Sequence, residues 1–573
     1  MGSNNILVKD YLESLKEDKE LDYLFPILLS LMGFKIITTA KESKGQPQYG
    51  KDIIATGRDE SGILKRYYFE LKGHADKDIT QTSFLKKDGI MESIREAQLT
   101  SFKDSSLPGF NDLPVQIVVV HNGILNSNTR PTFEGFINQT FPNGGFERWD
   151  IYKLTDLFSE YLFGEYLFTD QETIRLFKRT LVLLDAQDND FLDFKQLVNL
   201  QVNKIESIQG RTLNKFFATM NLLSLIIIHY SKENNNLFPA RECVTYLLLR
   251  VWSWILSKNL QDKSAVQREF RKLVDIHYQL LDDYFIKTAY AREQKDGLFS
   301  ENGGLFESIA YPIRSFDYIS HQVYYFEAKL AQSEFKGKAA STKKEQLLNE
   351  QLRCLIQTIN NNKACCRPLL DNHSIPIISV CLFILRHRHS IKHGGSKEII
   401  QGYLTDVLNN ILIIKKMRKR YPEMHNNMSA LTEFEAKHKR PYEYQDSSSL
   451  LITMLFEMIA VTDCKSLYDH FRASFATEIN LQNAYSEVPI EELEVLMFSK
   501  RMHREYYVET NIELPEDFDA FKNTLINKPR EEKEFRTDKA GFGFLRILAH
   551  HHFKNEFFVD EWRKYLHENQ QFG

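Results

Sequence analysis

The feature of this sequence that most restricts its fold is the run Val115–Val120 (VQIVVV), which lies between Pro114 and Asn122-Gly123. A short continuous apolar run, in place of strict alternation, is typical of a β-strand that is covered on both faces. Such a strand needs other elements above and below it. We therefore expect a layered domain with a sheet in its middle.

The segments around this strand predict the order of the layers. In chain order we predict a helix at Leu21–Met32, strands at Phe34–Thr39, Asp52–Ala55 and Arg66–Lys72, a helix at Ile90–Phe102, the strand at Val115–Val120, a helix at Phe133–Gln139, a strand at Arg148–Leu154 and a helix from Thr155. The order α-β-β-β-α-β-α-β-α indicates a mixed sheet with helices on its faces, an α/β/α domain within residues 1–165.

The rest of the chain, residues 166–573, has apolar residues at helical spacing. We expect a mostly α protein, in which a large all-α region follows the N-terminal domain. Examples of the helical stretches are Ala240–Leu256, Ser264–Leu281, Gln346–Ile359, Tyr403–Met417 and Leu450–Ile459. The polar break KGKAASTKK suggests a subdivision of this region near residues 335–345.

Composition excludes several classes of protein. The net charge of −4 is not that of a polycation, so any nucleic-acid binding must use local patches and metal ions. The six cysteines form no CxxC pair, which argues against a zinc knuckle and fits a reducing cytosol. The N-terminal residues lack the apolar run of a signal peptide, and Phe216–Ile228 is too short and too polar to span a bilayer. We expect a cytoplasmic protein without a membrane partner.

Acidic residues and a lysine occur on two neighbouring predicted strands. Asp52 opens the second strand, and the triplet Glu70-Leu71-Lys72 ends the third. Since side chains at positions i and i+2 share a face of a strand, Glu70 and Lys72 point together. Phe69 and Leu71 then point to the opposite, buried face. If the two strands form a hairpin, Asp52 comes near Glu70.

This arrangement predicts a site for phosphodiester hydrolysis, which needs a divalent cation, a positioned water and a positive charge. Mg²⁺ prefers carboxylate oxygens as ligands. We expect Asp52 and Glu70 to bind Mg²⁺ or Mn²⁺, with the carbonyl of Leu71 as a further ligand. We expect Lys72 to orient the attacking water or to help deprotonate it.

The triplet alone has an alternative explanation, an ion pair on a solvated strand. Glu-x-Lys also occurs at Glu17/Lys19, Glu334/Lys336 and Glu435/Lys437, and Tyr324–Lys329 (YYFEAK) imitates Tyr67–Lys72 (YYFELK). The surroundings of the imitation differ, because Phe316–Ala331 has the pattern of a helix and no Gly-x-Asp strand precedes it. The context of strand, hairpin, triplet, helix and buried strand favours the functional interpretation of Glu70 and Lys72.

In this context residues 10–165 resemble the PD-(D/E)xK, or restriction-endonuclease-like, superfamily, and most of all its Mrr-like branch. The matching segments are Leu21–Phe34, Gly50-Lys51-Asp52, Phe69–Lys72 and Trp149–Leu157. The resemblance implies a metal-dependent nuclease that cuts mostly DNA, with Asp52, Glu70 and Lys72 at the motif positions. It also implies a place in restriction or antiphage defence.

The same resemblance implies an acid on the first helix that completes the metal site. The equivalent position here is Asp22, which is shorter than the usual glutamate, with Glu20 and Glu13 as other options. Many members of the branch have glutamine where this chain has Glu70. A glutamate at this position, in place of the glutamine, favours an active over a degenerate site.

A second motif lies in the helical region, where Arg386–His393 (RHRHSIKH) follows the apolar run Ile377–Leu385. Arg388 and His393 resemble the Arg-x4-His motif of HEPN ribonucleases, in which Arg holds the scissile phosphate and His acts in acid–base cleavage of RNA. At this spacing the two side chains would share a face only if the helix breaks at Gly394 or a dimer supplies a second pair. A basic helix C-terminus, stabilised by the helix dipole, explains the same residues without catalysis.

Other charged tracts are less specific. His550-His-His552 is a possible metal tract, although three consecutive histidines cannot easily face one ion. Lys415–Arg420 and Lys437–Arg440 could form a basic patch, although charge runs are usually solvated faces.

Three functions therefore compete. The first is a metal-dependent DNA endonuclease in antiphage defence, whose helical region senses a trigger, binds a partner protein or forms a homo-oligomer. The second is a metal-independent ribonuclease that uses Arg388 and His393. The third is a non-catalytic scaffold that only binds nucleic acid.

Overall fold

The computed structural model divides the chain into two compact units, Met1–Cys243 and Val244–Gly573, and each is described by itself. The predicted domain at residues 1–165 lies inside the first unit, which continues through further helices. The structure describes residues 9, 12–13, 17, 21–39, 49–73, 76–163, 171–186, 189–205, 210–299, 303–335, 341–391, 395–502, 506–527, 534–556, 558 and 561–568.

The first unit contains a five-stranded sheet among its described residues. The strands are β1 (Lys35–Thr38), β2 (Ile53–Arg58), β3 (Leu64–Lys72), β4 (Val115–His121) and β5 (Phe146–Trp149). The helices are α1 (Asp22–Leu31), α2 (Gln81–Leu85), α3 (Ile90–Leu99), α4 (Arg130–Thr140), α5 (Ile151–Phe158), α6 (Gln171–Leu183), α7 (Leu192–Asn203), α8 (Gly210–Glu233) and α9 (Phe238–Ser257), which ends in the second unit. The strands lie side by side in chain order; β1–β2 and β2–β3 pair antiparallel, and β3–β4 and β4–β5 pair parallel.

Strand β4 is covered on both faces, as its apolar run predicts. On one face, Val119 packs with Ile94 of α3 and Phe133 of α4. On the other face, Phe69, which pairs with Val118 of β4, has its ring centroid 5.3 Å from that of Phe25 in α1. The predicted mixed sheet with helices on its faces is therefore confirmed.

The end of the sheet differs from the prediction. The predicted strand at Arg148–Leu154 is wrong in its second half, because helix α5 already begins at Ile151. The side chain of Asp150 accepts hydrogen bonds from the backbone N–H groups of Tyr152 and Lys153. An aspartate that satisfies the first free N–H groups of a helix fixes where the helix begins.

Strand β2 begins against helix α3, and Gly50 makes this approach possible. Gly50 has a φ of +67°, a region that favours glycine. A Cβ atom at this position would lie 2.0 Å from the carbonyl oxygen of Ser93 in α3. Only glycine therefore fits two residues before Asp52.

The second unit is mostly helical. Its helices are α10 (Ser264–Lys287), α11 (Tyr290–Glu293), α12 (Tyr311–Phe335), α13 (Ser341–Asn361), α14 (Ser374–Arg386), α15 (Ser396–Arg418), α16 (Met428–Lys437), α17 (Leu450–Val461), α18 (Lys465–Phe475), α19 (Ile490–Met497), α20 (Phe518–Asn527), α21 (Arg536–Lys539), α22 (Leu545–Phe553) and α23 (Lys564–Glu568). The expectation of an all-α region is too simple, because β6 (Ser448–Ser449) pairs with β7 (Asn480–Leu481) and β8 (Asn483–Tyr485) pairs with β9 (Tyr507–Glu509).

The five helical stretches predicted as examples in residues 166–573 each lie within an observed helix, whereas the helix predicted at Ile90–Phe102 ends at Leu99. The segment Tyr324–Lys329, whose sequence resembles that of Tyr67–Lys72, lies inside α12 and is helical as predicted. Phe216–Ile228, the most apolar of the later stretches, lies inside α8. In the part of the chain that the structure describes, no helix has both the length and the apolarity that a membrane crossing requires.

The contact between Gly50 and Ser93 leads to a first prediction. We expect Gly50→Ala to destabilise the protein by about 2–3 kcal/mol, because the methyl group meets backbone atoms and φ is unfavourable. Gly62 is the matched control, since its φ is also positive, at +81°, but no atom lies within 4 Å of a Cβ there. Gly62→Ala should cost about 1–2 kcal/mol, the cost of the left-handed backbone conformation alone. Equal losses for the two variants in urea denaturation would contradict this account.

Candidate active site

The hairpin of β2 and β3 places Asp52 opposite Glu70. Ile53 pairs with Phe69, and the backbone N–H of Asp52 donates to the carbonyl oxygen of Phe69 at 2.9 Å. Directly opposed residues in an antiparallel pair share a face of the sheet. One further step along this register brings Asp52 beside Glu70, as the hairpin predicts.

The carboxylate of Asp52 is buried and oriented by the backbone of the neighbouring strand. Its Oδ2 accepts a hydrogen bond from the N–H of Leu71 at 2.7 Å. The pKa of Asp52 is raised well above its usual value, first by burial and then by the charge of Glu70; the hydrogen bond from Leu71 and the charge of Lys72 oppose these effects. A buried carboxylate beside a second one needs a positive charge in order to ionise.

Lys72 supplies part of that positive charge. Its Nζ lies 2.7 Å from Oε1 of Glu70 and 3.9 Å from Oε1 of Glu17. Burial by itself would lower the pKa of Lys72, but the charges of Glu70 and Glu17 outweigh burial and leave this pKa raised. The amine is therefore held as an ammonium group.

Glu17 is the acid that sequence reasoning did not place in the site. Besides its contact with Lys72, its Oε2 accepts a hydrogen bond from the N–H of Gly73 at 3.3 Å. Burial raises the pKa of Glu17, and Lys72 opposes this shift. Asp22, the expected fourth ligand, is the first residue of α1. The other options do not join the described contacts of the site: Glu13 pairs with Lys9 at 2.9 Å, and Glu20 lies outside the described residues.

The donor set at this end of the hairpin suits a hard divalent cation. Three carboxylates, those of Asp52, Glu70 and Glu17, interact with the ammonium group of Lys72. The raised pKa values of Asp52 and Glu17 have burial as their first cause, and the charge of Glu70 adds to both. A divalent cation favours the ionised form of all three acids, and carboxylate oxygens are the ligands that Mg²⁺ prefers.

The opposite side of the triplet is apolar, as expected. Phe69 and Leu71 are buried. The ring of Phe69 lies 5.5 Å, centroid to centroid, from that of Trp149 on β5. Strong burial of one face fixes the register of the strand and with it the direction of Glu70 and Lys72.

A buried histidine on β4 was not predicted as part of this region. His121 pairs with Lys72 in the parallel ladder. Its Nδ1 lies 2.8 Å from the carbonyl oxygen of Lys77, and its Nε2 lies 3.0 Å from Nη1 of Arg148. Since Arg148 can only donate, Nε2 accepts and Nδ1–H donates to Lys77. Burial lowers the pKa of His121 to about 4, so the ring is neutral at pH 7. The signal in the sequence was a polar pair, His-Asn, directly after a buried strand.

A second amine, that of Lys51, lies beside the acids. Its Nζ donates to the carbonyl oxygen of Tyr49 at 3.0 Å and lies 5.3 Å from the ring centroid of Tyr68. Burial lowers the pKa of Lys51 to about 8, against the charges of Glu96 and Glu70. The site therefore holds two lysines whose pKa values are shifted in opposite directions.

The second predicted site is not assembled by the described residues. The guanidinium of Arg388 lies 4.9 Å from the ring centroid of Tyr565 and donates to the carbonyl oxygen of Leu385. His393 lies outside the described residues. The apolar run before the motif lies in the buried helix α14, and the motif starts at the C-terminus of this helix, where Arg386 forms partly buried ion pairs with Glu327 and Glu561.

The shift at Asp52 leads to a second prediction, for the metal-free protein. The pKa of Asp52 is higher in the folded state than in the unfolded chain, so the folded state binds more protons and loses stability as pH rises above about 4. Asp52→Asn removes this ionisation and keeps an oxygen that can accept from Leu71. We expect a flatter dependence of the melting temperature on pH in EDTA for Asp52→Asn. The exposed Asp112→Asn is the control; the idea fails if both variants follow the wild-type curve.

Comparisons of this chain with known proteins found no relative. No protein-family model matches the chain, and no curated protein and no solved structure matches it. The function of the site is therefore inferred from its own residues.

Proposed function

We propose that the first unit is a Mg²⁺-dependent nuclease that hydrolyses phosphodiester bonds in DNA. One observation carries the proposal: the carboxylate of Asp52, directly before β2, lies near that of Glu70 on β3, next to the ammonium group of Lys72 and a third acid, Glu17. An isolated ion pair between Glu70 and Lys72 would need neither a buried Asp52 nor Glu17. Burying the carboxylate of Asp52 beside that of Glu70 destabilises a protein unless a cation compensates for the two charges.

Asp52, Glu70 and the carbonyl of Leu71 are the groups that would hold Mg²⁺ or Mn²⁺, with Glu17 as a further acid. The bound ion supplies positive charge to a phosphoryl oxygen and lowers the pKa of a water. The hydrogen bond from Leu71 to Oδ2 of Asp52 fixes the carboxylate before any ion arrives. Pre-orientation of ligands lowers the free-energy cost of assembling the site.

Lys72 acts as a charge and as a donor for the attacking water. Its raised pKa keeps the proton on Nζ near neutral pH, so proton abstraction by Lys72 is the less suitable of its two predicted roles. A fixed ammonium group stabilises the negative charge that develops on the phosphorane-like transition state. Its contacts with Glu70 and Glu17 hold Nζ at the metal-binding end of the hairpin.

The biological setting belongs to the same proposal. A nuclease that is always active would damage the DNA of its own cell, so its activity needs control. We assign this control to the helical second unit, through a partner protein or a second copy of the chain, in antiphage defence in the cytoplasm. Only the resemblance to the restriction-endonuclease-like superfamily supports the defence role.

The third prediction tests the nuclease. With Mg²⁺, the full chain should cleave plasmid DNA, and Lys72→Ala or Asp52→Asn should slow cleavage by at least about 100-fold. Lys329→Ala is the matched control, because Glu327-Ala-Lys329 is the same type of triplet on helix α12. This control should cleave as the wild type does.

The same assay separates the competing functions. EDTA should abolish cleavage by the metal-dependent site. Cleavage of RNA that survives EDTA and is lost in His393→Ala would instead support the ribonuclease hypothesis. Binding of nucleic acid without cleavage under Mg²⁺ or Mn²⁺, unchanged in Glu70→Gln, would leave only the scaffold.

The fourth prediction decides which acid completes the site. We expect Glu17→Gln to raise the Mg²⁺ concentration needed for half-maximal cleavage by about 10-fold, because a charged oxygen is lost beside Lys72. Asp22→Asn should have a smaller effect, and Glu13→Gln, which removes the pair with Lys9, should have none. A larger effect of Asp22→Asn than of Glu17→Gln would show that Asp22, the acid expected from the sequence, completes the site.

A further inference from the structure

The second unit brings together two histidines and an aspartate that the proposed nuclease does not use. Asp317 and His321 lie one turn apart on α12, and His551 lies on α22, which packs against α12. One possible ligand atom of each residue lies within 4.8 Å of the other two. The three residues come from parts of the chain more than two hundred positions apart, so only the tertiary structure assembles them.

The distances within this cluster suit a metal ion. Oδ1 of Asp317 lies 3.0 Å from Nε2 of His551, and one ligand atom of each of the three residues lies within 4.8 Å of the others. Two ligands of a tetrahedral zinc ion, each bound at about 2.0–2.1 Å, stand about 3.3 Å apart. The separation of Asp317 from His551 is close to this value, and rotation of the side chains would bring the third ligand atom to a similar spacing.

Burial and orientation support the same interpretation. The two histidines are 2% and 6% exposed, whereas the side chain of Asp317 keeps 32% exposure, which leaves a path for an ion from solvent. Nδ1 of His321 lies 2.9 Å from the backbone carbonyl oxygen of Asp317. A hydrogen bond from one ring nitrogen to a carbonyl orients the ring and fixes the tautomer, a common feature of histidines that bind metals.

The His550-His-His552 tract contributes one ligand and not three. Nδ1 of His550 lies 2.8 Å from the carbonyl oxygen of Asn555, and its ring stacks on Phe558. The ring of His552 lies against Tyr246. The expectation that consecutive histidines cannot face one ion holds here, because successive helix positions point in different directions. The sequence pointed to the histidine tract, but it gave no sign that Asp317 and His321 lie beside His551.

We propose that Asp317, His321 and His551 form a zinc site that joins α12 to α22. Two imidazole nitrogens and one carboxylate favour Zn²⁺ over Mg²⁺, which prefers oxygen ligands. The ion replaces the proton that Nε2 of His551 shares with Asp317, and this proton moves to Nδ1 or to solvent. Water completes the coordination. The site is independent of the proposed nuclease, since none of its residues belongs to the first unit.

The fifth prediction is measured on the full chain without an affinity tag. Zinc bound after equilibration with micromolar free Zn²⁺ is counted by elemental analysis, and the melting temperature is compared with and without zinc. The parent protein and all variants carry Asp52→Asn, so that the first unit contributes little to the number of zinc ions measured per chain. We expect about one zinc per chain and a higher melting temperature with zinc.

Two variants in the cluster are compared with one outside it. Asp317 is partly exposed, and Asp317→Asn retains a hydrogen-bonding side chain there. His551→Gln retains a polar group of similar length. Both variants should lose this zinc ion and the rise in melting temperature that zinc causes. His552→Ala, from the same tract, should keep them. The proposal is overturned if the parent protein binds no zinc, or if Asp317→Asn and His551→Gln bind as much as His552→Ala. Neither result bears on DNA cleavage, which is assayed separately.

Discussion

The pairing of Asp52 with Glu70 across β2 and β3 is the constraint on which the front of this molecule depends. It brings two buried carboxylates together, and the charge of Glu70 raises the pKa of Asp52. Lys72 compensates for part of this cost, and its own pKa rises in response. A fold that needed only stability would place apolar side chains here, because burial of like charges is unfavourable. The proposed nuclease accounts for the arrangement, because its acids would be the ligands of a metal ion.

Several buried acids of the second unit have close partners of opposite charge. Glu561 contacts both Arg386 and Arg546, and these two cations hold its pKa well below the usual range against the effect of burial. Glu457 is likewise buried with Arg563, at 2.7 Å. Buried charges with close partners are a structural solution. The arginine-rich motif, whose first residue ends α14, thus helps in its described part to hold helices together.

Sequence reasoning worked where local physics decides the outcome. The apolar run of β4 requires cover on both faces, and the alternation of Phe69, Glu70, Leu71 and Lys72 sorts these side chains between a buried and a polar face. Helical periodicity identified α12 as a helix and so separated its Glu-x-Lys triplet from the one on β3. The reasoning failed at the end of β5, where the cap formed by Asp150 overrides the strand-like character of the residues that follow.

The sequence by itself determined the order of the strands, the hairpin and the face on which Glu70 and Lys72 lie, because these depend on the spacing of neighbouring residues. The tertiary structure decided which distant groups meet within each unit: Glu17 with Lys72 and Arg148 with His121 in the first, and Asp317 and His321 with His551 in the second. Such contacts depend on how separate elements pack, and packing is set by many side chains at once. Spacing along the chain carries no information about these distances.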